Sequence, residues 1–161
     1  MDSAYPRILS ETEGAIRAVC PGVRVCVNPR RGSVVIQASS PVWPAAFPQH
    51  GPGRKHERRI ELEGWQSEIT HRHPERLLRG LIHSDGCRTV NRFGMTLKGG
   101  RVKNYAYPRY FFTNASADIR RIFCEHCELL GIRWSRSNPR NISVAHRDSV
   151  AALDEFIGPK R

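Results

Sequence analysis

Apolar positions along the chain follow helical and strand spacing in alternating blocks. Near the N-terminus the apolar side chains recur at helical spacing until Pro21-Gly22, which predicts a helix. Two segments that alternate between apolar and polar residues follow, and they predict a pair of strands joined by a turn. The elements predicted in this part are a helix within 1–20, strands over 23–27 and 33–37, a short helix over 41–47 and a Gly/Pro-rich linker over 48–56.

From Pro74 onwards the pattern predicts a helix, two strands, a helix, two strands and a final helix. Pro74 can occupy the first position of its helix, which ends at Gly86. The Lys-Gly-Gly-Arg sequence at 98–101 predicts a hairpin turn, and Asn114 or Ser116 can cap the next helix. The predicted elements are a short helix over 60–69, a helix over 74–86, strands over 87–93 and 105–113, a helix that stops at Gly131, strands over 132–136 and 141–145, and a helix over 148–157.

The helix that starts at Pro74 combines an apolar stripe with a glycine and a terminal carboxylate. Gly80 lies inside the stripe, where it costs up to ~1 kcal/mol relative to alanine but allows another backbone to approach closely. Asp85 lies in the last turn, at the negative end of the helix, so a divalent cation or a basic neighbour is expected beside it. The alternative is an ordinary buried helix that ends at Asp-Gly. The apolar residues of the stripe are Leu77, Leu78, Leu81 and Ile82.

The charge of the chain favours a polyanionic partner. Lysine and arginine number 26 against 15 acidic residues, which gives a net charge of +11. No acidic residue occurs within 14–56, 87–114 or 133–147, and these stretches coincide with predicted strands and turns. A basic sheet face backed by more neutral helices is typical of a nucleic-acid binder. A uniformly solvated basic surface would explain this segregation less well.

Length, hydropathy and cysteine content narrow the class of protein. A chain of 161 residues can hold one core or two small packed repeats. Because it has no run of about 18 apolar residues and no secretory start, we expect no membrane contact and a cytoplasmic, nucleoid-associated location. Five scattered cysteines favour a reducing compartment. Cys124-Glu125-His126-Cys127 lacks a second ligand pair, so buried thiols are predicted and no zinc is expected.

Residues 78–86, with the sequence L-R-G-L-I-H-S-D-G, resemble the signature of the LAGLIDADG homing endonuclease family. In that family two such helices pack side by side, and their terminal acids bind metal ions at the centre of a DNA-cutting saddle. The resemblance makes Asp85 the metal-binding acid and Gly80 the close-packing glycine, while His83 replaces the first acid of the family name. It extends over one complete repeat at 74–158, preceded by a weaker, partial repeat at 5–47.

This resemblance implies an α+β, LAGLIDADG-like fold whose antiparallel β-sheets form a DNA-binding saddle backed by helices. The chain then comprises a partial helix-strand-strand-helix repeat over 1–47, a linker with a short helix over 48–73, and a complete repeat over 74–161. One motif helix supplies only half of a two-acid site, so a homodimer or a second chain would have to pack against the helix at 74–86. The residues predicted at that helix interface are Leu77, Gly80 and Leu81.

The resemblance also implies roles for individual polar residues. In a catalytically active chain Mg²⁺ would be held by Asp85 and the Gly86 carbonyl, and Asn114 and Arg147 fall closest to the polar helpers of the family. No lysine or glutamine matches those helpers. Duplex DNA binding by a degenerate nuclease or a transcription regulator is therefore the leading prediction. The alternative is an active Mg²⁺-dependent, site-specific endonuclease that works as a dimer; a protein that uses the helix only for partner assembly would leave the basic strands unexplained.

The basic strands supply the predicted contacts to duplex DNA, because a two-stranded ribbon fits the major groove. Strand register leaves open whether Arg88 and Arg92, or Thr89 and Asn91, face the DNA. Aromatic residues in the same region could instead stack on unpaired bases. Strand alternation assigns about half of these residues, without saying which, to the core. The full set is Tyr105, Tyr107, Tyr110, Phe111, Phe112 and Trp134. The predicted DNA-binding residues are Arg88, Thr89, Asn91, Arg92, Lys98, Arg101, Lys103, Arg109, Arg133, Arg136 and Arg140.

Overall fold

The computed structural model describes residues 4–160, which form a mixed α+β structure with two antiparallel sheets. Contacts divide the chain into two compact units. The first runs to Gly53 and includes Pro159 and Lys160, and the second spans Arg54–Gly158.

The first unit is a two-stranded sheet with two helices. β1 pairs with β2 over their whole length, and the two-residue turn between them uses Gly32 at a φ of 71°, which favours glycine. The observed turn is shorter than the predicted one, because β1 continues through Pro29, which lies opposite Val34. Proline is tolerated there because both strands of a two-stranded sheet are edge strands. The elements are α1 (Pro6–Val19), β1 (Val25–Arg30), β2 (Ser33–Ala38) and α2 (Trp43–Ala46).

The second unit holds a four-stranded antiparallel sheet with the strand order β3-β4-β6-β5. A 3-10 turn at Lys55–Glu57 precedes its first α-helix. The element order from Pro74 agrees with the sequence prediction, and the helix over 74–85 has the predicted start. The elements are α3 (Gly64–Arg72), α4 (Pro74–Asp85), β3 (Gly86–Thr96), β4 (Val102–Thr113), α5 (Ala117–Leu129), β5 (Ser135–Asn138), β6 (Asn141–Val144) and α6 (Arg147–Ile157).

Several element boundaries differ from those predicted. The helix expected at residue 60 begins at Gly64, where Glu63 and Gln66 form a reciprocal capping box. The strand expected at residue 132 begins at Ser135. The β3–β4 hairpin is longer than the apolar pattern indicated, because strand pairing continues from Gly86 opposite Phe112 to Thr96 opposite Val102.

Proline at position 108 marks the point where β4 becomes an edge strand. β4 pairs with β6 only over Tyr110–Thr113, whereas it pairs with β3 from Val102 to Phe112. At Pro108, opposite Val90, β3 is the only strand beside β4. The backbone N–H that proline lacks is therefore not required for pairing on the other side of β4. The distal part of the hairpin is a two-stranded ribbon that extends beyond the four-stranded part of the sheet.

The core of the second unit lies between the sheet and helices α4, α5 and α6. Leu78 and Ile82 of α4 are buried, and the rings of Phe112 and Phe123 stack with centroids 4.4 Å apart. Burial of such side chains supplies about 1.5–3 kcal/mol each relative to exposure. The packing fixes the end of α4 and the start of β3 against the sheet.

Candidate nucleic-acid interface

Antiparallel pairing determines which side chains of the β3–β4 hairpin share a face. Tyr110 and Phe112 are buried on the side of the helices, so the alternate positions of both strands lie on the opposite side. All of β3 after Gly86 is exposed. We call the side away from the helices the open face, and its residues are Cys87, Thr89, Asn91, Phe93, Met95, Lys103, Tyr105, Tyr107, Arg109 and Phe111.

The register shows on which side of the hairpin each of the two predicted pairs lies. Thr89 pairs with Arg109, and Asn91 pairs with Tyr107, so these two polar side chains lie on the open face. Arg88 and Arg92 lie on the side of the helices. The open face therefore combines hydrogen-bonding groups with the basic side chains of β4, among them Lys103.

Arg88 connects β3 to α6 within the chain. Its guanidinium donates two hydrogen bonds to Asp154, at 2.7 Å from Nε and 2.8 Å from Nη2. The Tyr110 hydroxyl donates a third to the same carboxylate, at 2.6 Å. The hydrogen bond from Arg88 holds the pKa of the Asp154 carboxyl below its usual range. The charge of Arg88 is therefore matched by a carboxylate of the same chain.

The other predicted DNA contacts lie in three places. Lys98 and Arg101 are exposed at the hairpin turn, where the Leu97 amide donates to the Arg101 carbonyl at 2.9 Å. Arg133 lies beside the start of α6, where its guanidinium is 2.7 Å from His146 Nδ1 and 3.7 Å from Asp148. The remaining two lie on β5 and in the β5–β6 turn: Arg136, paired with Ile142, and Arg140. Four of the eleven predicted residues thus lie on the open face and two at its turn.

Aromatic rings and cations lie side by side on the open face of β4. Lys103 Nζ lies 5.2 Å from the ring centroid of Tyr105, and Arg109 Cζ lies 5.2 Å from that of Phe111. Phe93 of β3 lies 5.3 Å from Tyr105, centroid to centroid. Strand alternation predicted that about half of these aromatic residues face the core, and the structure buries Tyr110 and Phe112. Sequence reasoning missed Phe93 and Met95, although they continue the two-residue spacing that begins at Thr89 and Asn91.

The carboxylate at the end of α4 meets one of its two predicted helpers. Asp85 is exposed and accepts a hydrogen bond from Asn114 Nδ2 at 3.0 Å. Asn114 is buried. Its side-chain Oδ1 accepts a hydrogen bond from the Ser116 backbone amide at 2.9 Å, and its backbone amide donates to the Arg140 carbonyl at 3.0 Å. The Asn114 carbonyl accepts a hydrogen bond from Arg120. These bonds hold the side-chain Nδ2 of Asn114 toward Asp85.

The second predicted helper, Arg147, is not brought to Asp85. Asn114 follows Thr113, which pairs with Asn141 at the first end of β6, whereas Arg147 begins α6 after the other end of that strand. Gly86, the second predicted metal ligand, is buried as the first residue of β3. The structure thus brings together Asp85, Gly86 and Asn114.

The donor set at this end of α4 fits only a sparsely liganded hard cation. In the part of the chain that the structure describes, no group of three or more His, Cys, Asp or Glu side chains could hold a metal ion. Asp85 supplies a single carboxylate. Magnesium fits such a set, because it commonly retains several waters and uses one or two carboxylates together with phosphate oxygens.

The predicted interface of α4 is only partly covered in the single chain. Leu78 and Ile82 face the core, whereas Leu77 and Leu81 are only partly buried and Gly80 is exposed. A Cβ atom at Gly80 would meet no neighbouring group within 4 Å. The close contact expected at Gly80 is therefore absent among residues 4–160 of one chain.

The two cysteines of the Cys-Glu-His-Cys sequence are buried in α5, as predicted. Burial raises the pKa of the Cys124 thiol to about 11 and raises that of Cys127 further. Both thiols are therefore neutral near neutral pH and pack as small apolar groups. The ring of His126 between them bonds through Nδ1 to the Ile122 carbonyl, at 2.7 Å.

In residues 4–160, none of the helices combines the length and the apolar character that crossing a membrane requires. Comparison with protein-family models finds no match for this chain. Comparison with curated proteins finds no significant match either.

Proposed function

We propose that this chain is a duplex DNA-binding protein, similar in type to the LAGLIDADG homing endonucleases, and that it acts as a degenerate nuclease or a transcription regulator. The observation that carries the proposal is the composition of the open face. Thr89 and Asn91 share this face with Lys103 and Arg109. No acidic residue occurs between Gly86 and Ala117, so the whole hairpin is free of negative charge.

The chemistry of these side chains suits the major groove of DNA. A two-stranded ribbon enters a groove about 12 Å wide, where arginine pairs with guanine and asparagine with adenine. Lys98 and Arg101 at the hairpin turn suit phosphate contacts, which position a protein without reading sequence. The extension of the hairpin beyond the four-stranded sheet leaves both of these groups accessible.

Two variants, one on each side of the hairpin, test the proposal. The double variant Lys103→Ala/Arg109→Ala removes two cations from the open face, and we expect it to weaken duplex binding at least tenfold in a fluorescence anisotropy titration. Arg92→Ala removes an exposed arginine of the same hairpin from the opposite side, and we expect its affinity to change less than threefold. Equal losses in the two variants, or no loss in either, would contradict the use of the open face.

An active Mg²⁺-dependent endonuclease that works as a dimer is the second candidate. It is favoured by the hydrogen bond between Asp85 and Asn114 at the exposed end of α4. When bound there, the ion would activate water and stabilise the leaving oxygen of a phosphodiester. Asp85 would hold the ion, and Asn114 would orient the carboxylate. A second site acid would have to come from another chain that packs against the uncovered face of α4 at Gly80.

A nicking assay on supercoiled plasmid separates the two candidates. We expect the purified wild-type chain to bind DNA without Mg²⁺-dependent nicking, because one chain supplies one motif helix. Asp85→Asn should bind with equal or higher affinity, since it removes a negative charge near phosphate. Site-specific nicking by the wild type that disappears in Asp85→Asn would instead establish the endonuclease.

A further inference from the structure

Three aromatic rings lie together on the open face of the hairpin. The ring centroids are 5.3 Å apart for Phe93 and Tyr105, 5.9 Å for Tyr105 and Tyr107, and 6.0 Å for Phe93 and Tyr107. The planes of Tyr105 and Tyr107 are inclined by only 16°, and those of Phe93 and Tyr105 by 23°. Such distances are those of offset rings. Each ring therefore keeps part of its surface free of its neighbours.

Two rings of this cluster are exposed and Tyr105 is partly buried, although a fold usually buries such rings. Phe93 is 46% exposed and Tyr107 is 48% exposed. Met95, two residues after Phe93 on the same face, is 47% exposed. Adjacent exposed apolar side chains of this size indicate a binding surface.

On the open face of β4, one cation lies on each side of the two tyrosine rings. Lys103 precedes Tyr105, and Arg109 follows Tyr107. Lys103 lies over the ring of Tyr105 and Arg109 over that of Phe111. The order along the open face is cation, ring, ring, cation, ring, and the acid-free sequence around it contributes no opposing charge. An occupant must therefore combine negative charge with flat π surfaces, and a nucleic-acid strand does so.

We propose that this aromatic cluster binds the unpaired bases of a single DNA strand, while Lys103 and Arg109 hold its phosphates. The inference rests on the proposed function, since it uses the same face of the same hairpin. In a duplex the faces of the bases are covered by their neighbours, so the rings could reach only base edges and thymine methyl groups. An unpaired base offers its whole π face, and stacking of bases on aromatic side chains tolerates any sequence. The cluster thus favours DNA that is locally opened over fully paired DNA.

An abasic strand makes the test specific to stacking. Fluorescence anisotropy compares three ligands of equal length at one salt concentration: an oligothymidylate, a deoxyribose-phosphate strand without bases, and a duplex. The first two carry the same phosphates, so phosphate attraction contributes equally to both. We expect the full chain to bind the oligothymidylate at least tenfold more tightly than the abasic strand. We also expect the oligothymidylate alone to quench the tyrosine fluorescence of the wild type.

The double variant Phe93→Leu/Tyr107→Leu should lose at least tenfold affinity for the oligothymidylate, lose much less for the duplex, and retain its affinity for the abasic strand. Val90→Thr/Val102→Thr serves as the control, because it removes two exposed apolar side chains from the opposite side of the same hairpin. We expect this control to bind all three ligands as the wild type does. Circular dichroism checks that both variants fold.

Equal affinity of the wild type for the oligothymidylate and the abasic strand would overturn the inference, whatever the duplex titration gives. A proportional loss of duplex and oligothymidylate binding in Phe93→Leu/Tyr107→Leu would overturn it as well. The proposed function fails separately, if the wild type does not bind the duplex or if Lys103→Ala/Arg109→Ala leaves duplex affinity unchanged. The two failures are therefore distinguishable in one set of titrations.

Discussion

At the residue scale, Asp154 shows how one carboxylate decides the role of an arginine. Arg88 and Tyr110 both donate to it, so β3, β4 and α6 meet at this group. Without Asp154, Arg88 would be an exposed cation on an acid-free strand and would resemble its neighbour Arg92. With Asp154, the guanidinium is held on the side of the helices. A basic residue in a basic strand is therefore not by itself evidence of a DNA contact.

We expect Asp154→Asn to lower the free energy of unfolding at pH 7 by no more than about 1 kcal/mol, because the ion pair with Arg88 is partly exposed. The folded-state pKa of Asp154 lies below its unfolded value, so its contribution is fully present above the unfolded pKa of about 3.9. That contribution is lost as the pH falls through the folded-state pKa. Urea titrations between pH 7 and pH 2 should show the wild type and the variant converging at acid pH. A difference that persists unchanged to pH 2 would contradict this origin.

At the scale of elements, the junction between α4 and β3 positions the candidate site. The helix ends at Asp85 and the strand begins at Gly86, with no loop between them. A Cβ atom at Gly86 would lie 2.7 Å from Ile82 Cδ1 and 2.9 Å from the Phe111 carbonyl oxygen. Glycine is needed here for close approach, since its φ of −113° is accessible to any residue. The absence of a side chain lets the sheet reach the end of α4, where Asn114 meets Asp85.

We expect Gly86→Ala to destabilise the chain by about 1–3 kcal/mol, because the added methyl group overpacks the junction and two of its contacts are with backbone atoms. Gly80→Ala is the matched control within α4. Its methyl group meets no neighbouring group, and alanine favours a helix interior by up to ~1 kcal/mol over glycine. Thermal unfolding followed by circular dichroism should lower the Tm of the first variant and leave that of the second unchanged or higher. A fall in both would show that Gly80 lies in an interface, and analytical ultracentrifugation would then report the loss of a dimer.

At the scale of the whole molecule, the distribution of charge matters more than its sum of +11. Much of the basic charge is matched locally, for example by the pairs Arg17–Glu13, Arg72–Glu68 and Arg121–Glu125 along helices. The hairpin has no such pairs on its open face among the described residues, since its sequence contains no acid. Four cations remain there and at the turn: Lys98, Arg101, Lys103 and Arg109.

Binding to duplex DNA should therefore depend on salt through these four cations. We expect the plot of log Kd against log salt concentration to have a slope of about 4, since each neutralised phosphate releases close to one counterion. The slope should fall by about two in Lys103→Ala/Arg109→Ala. Anisotropy titrations between 50 and 300 mM salt measure both slopes. A wild-type slope near zero would exclude phosphate binding by the hairpin.

The sequence by itself determined the order of the elements and most of their positions. Helical spacing, the proline at position 74 and the glycines after helices are local signals, and they report which residues form α4 or α5 because helix formation depends on near neighbours. The acid-free strands were visible for the same reason. So were the buried cysteines of α5, because one of them falls on the apolar stripe of that helix.

Only the tertiary structure decided what those strands present. Strand side chains alternate, so a shift of one residue exchanges the open face for the buried face, and the pairing of Thr89 with Arg109 settles this through a partner 20 residues away. Asp154 pairs with Arg88 across 66 residues, and Asn114 reaches Asp85 across 29. Such contacts arise from packing between elements that have no local signal for one another. The sequence named Asp85 and Asn114 as candidates through their resemblance to a known family. The separation of Arg147 from Asp85, and the aromatic cluster around Tyr105, emerged only from the fold.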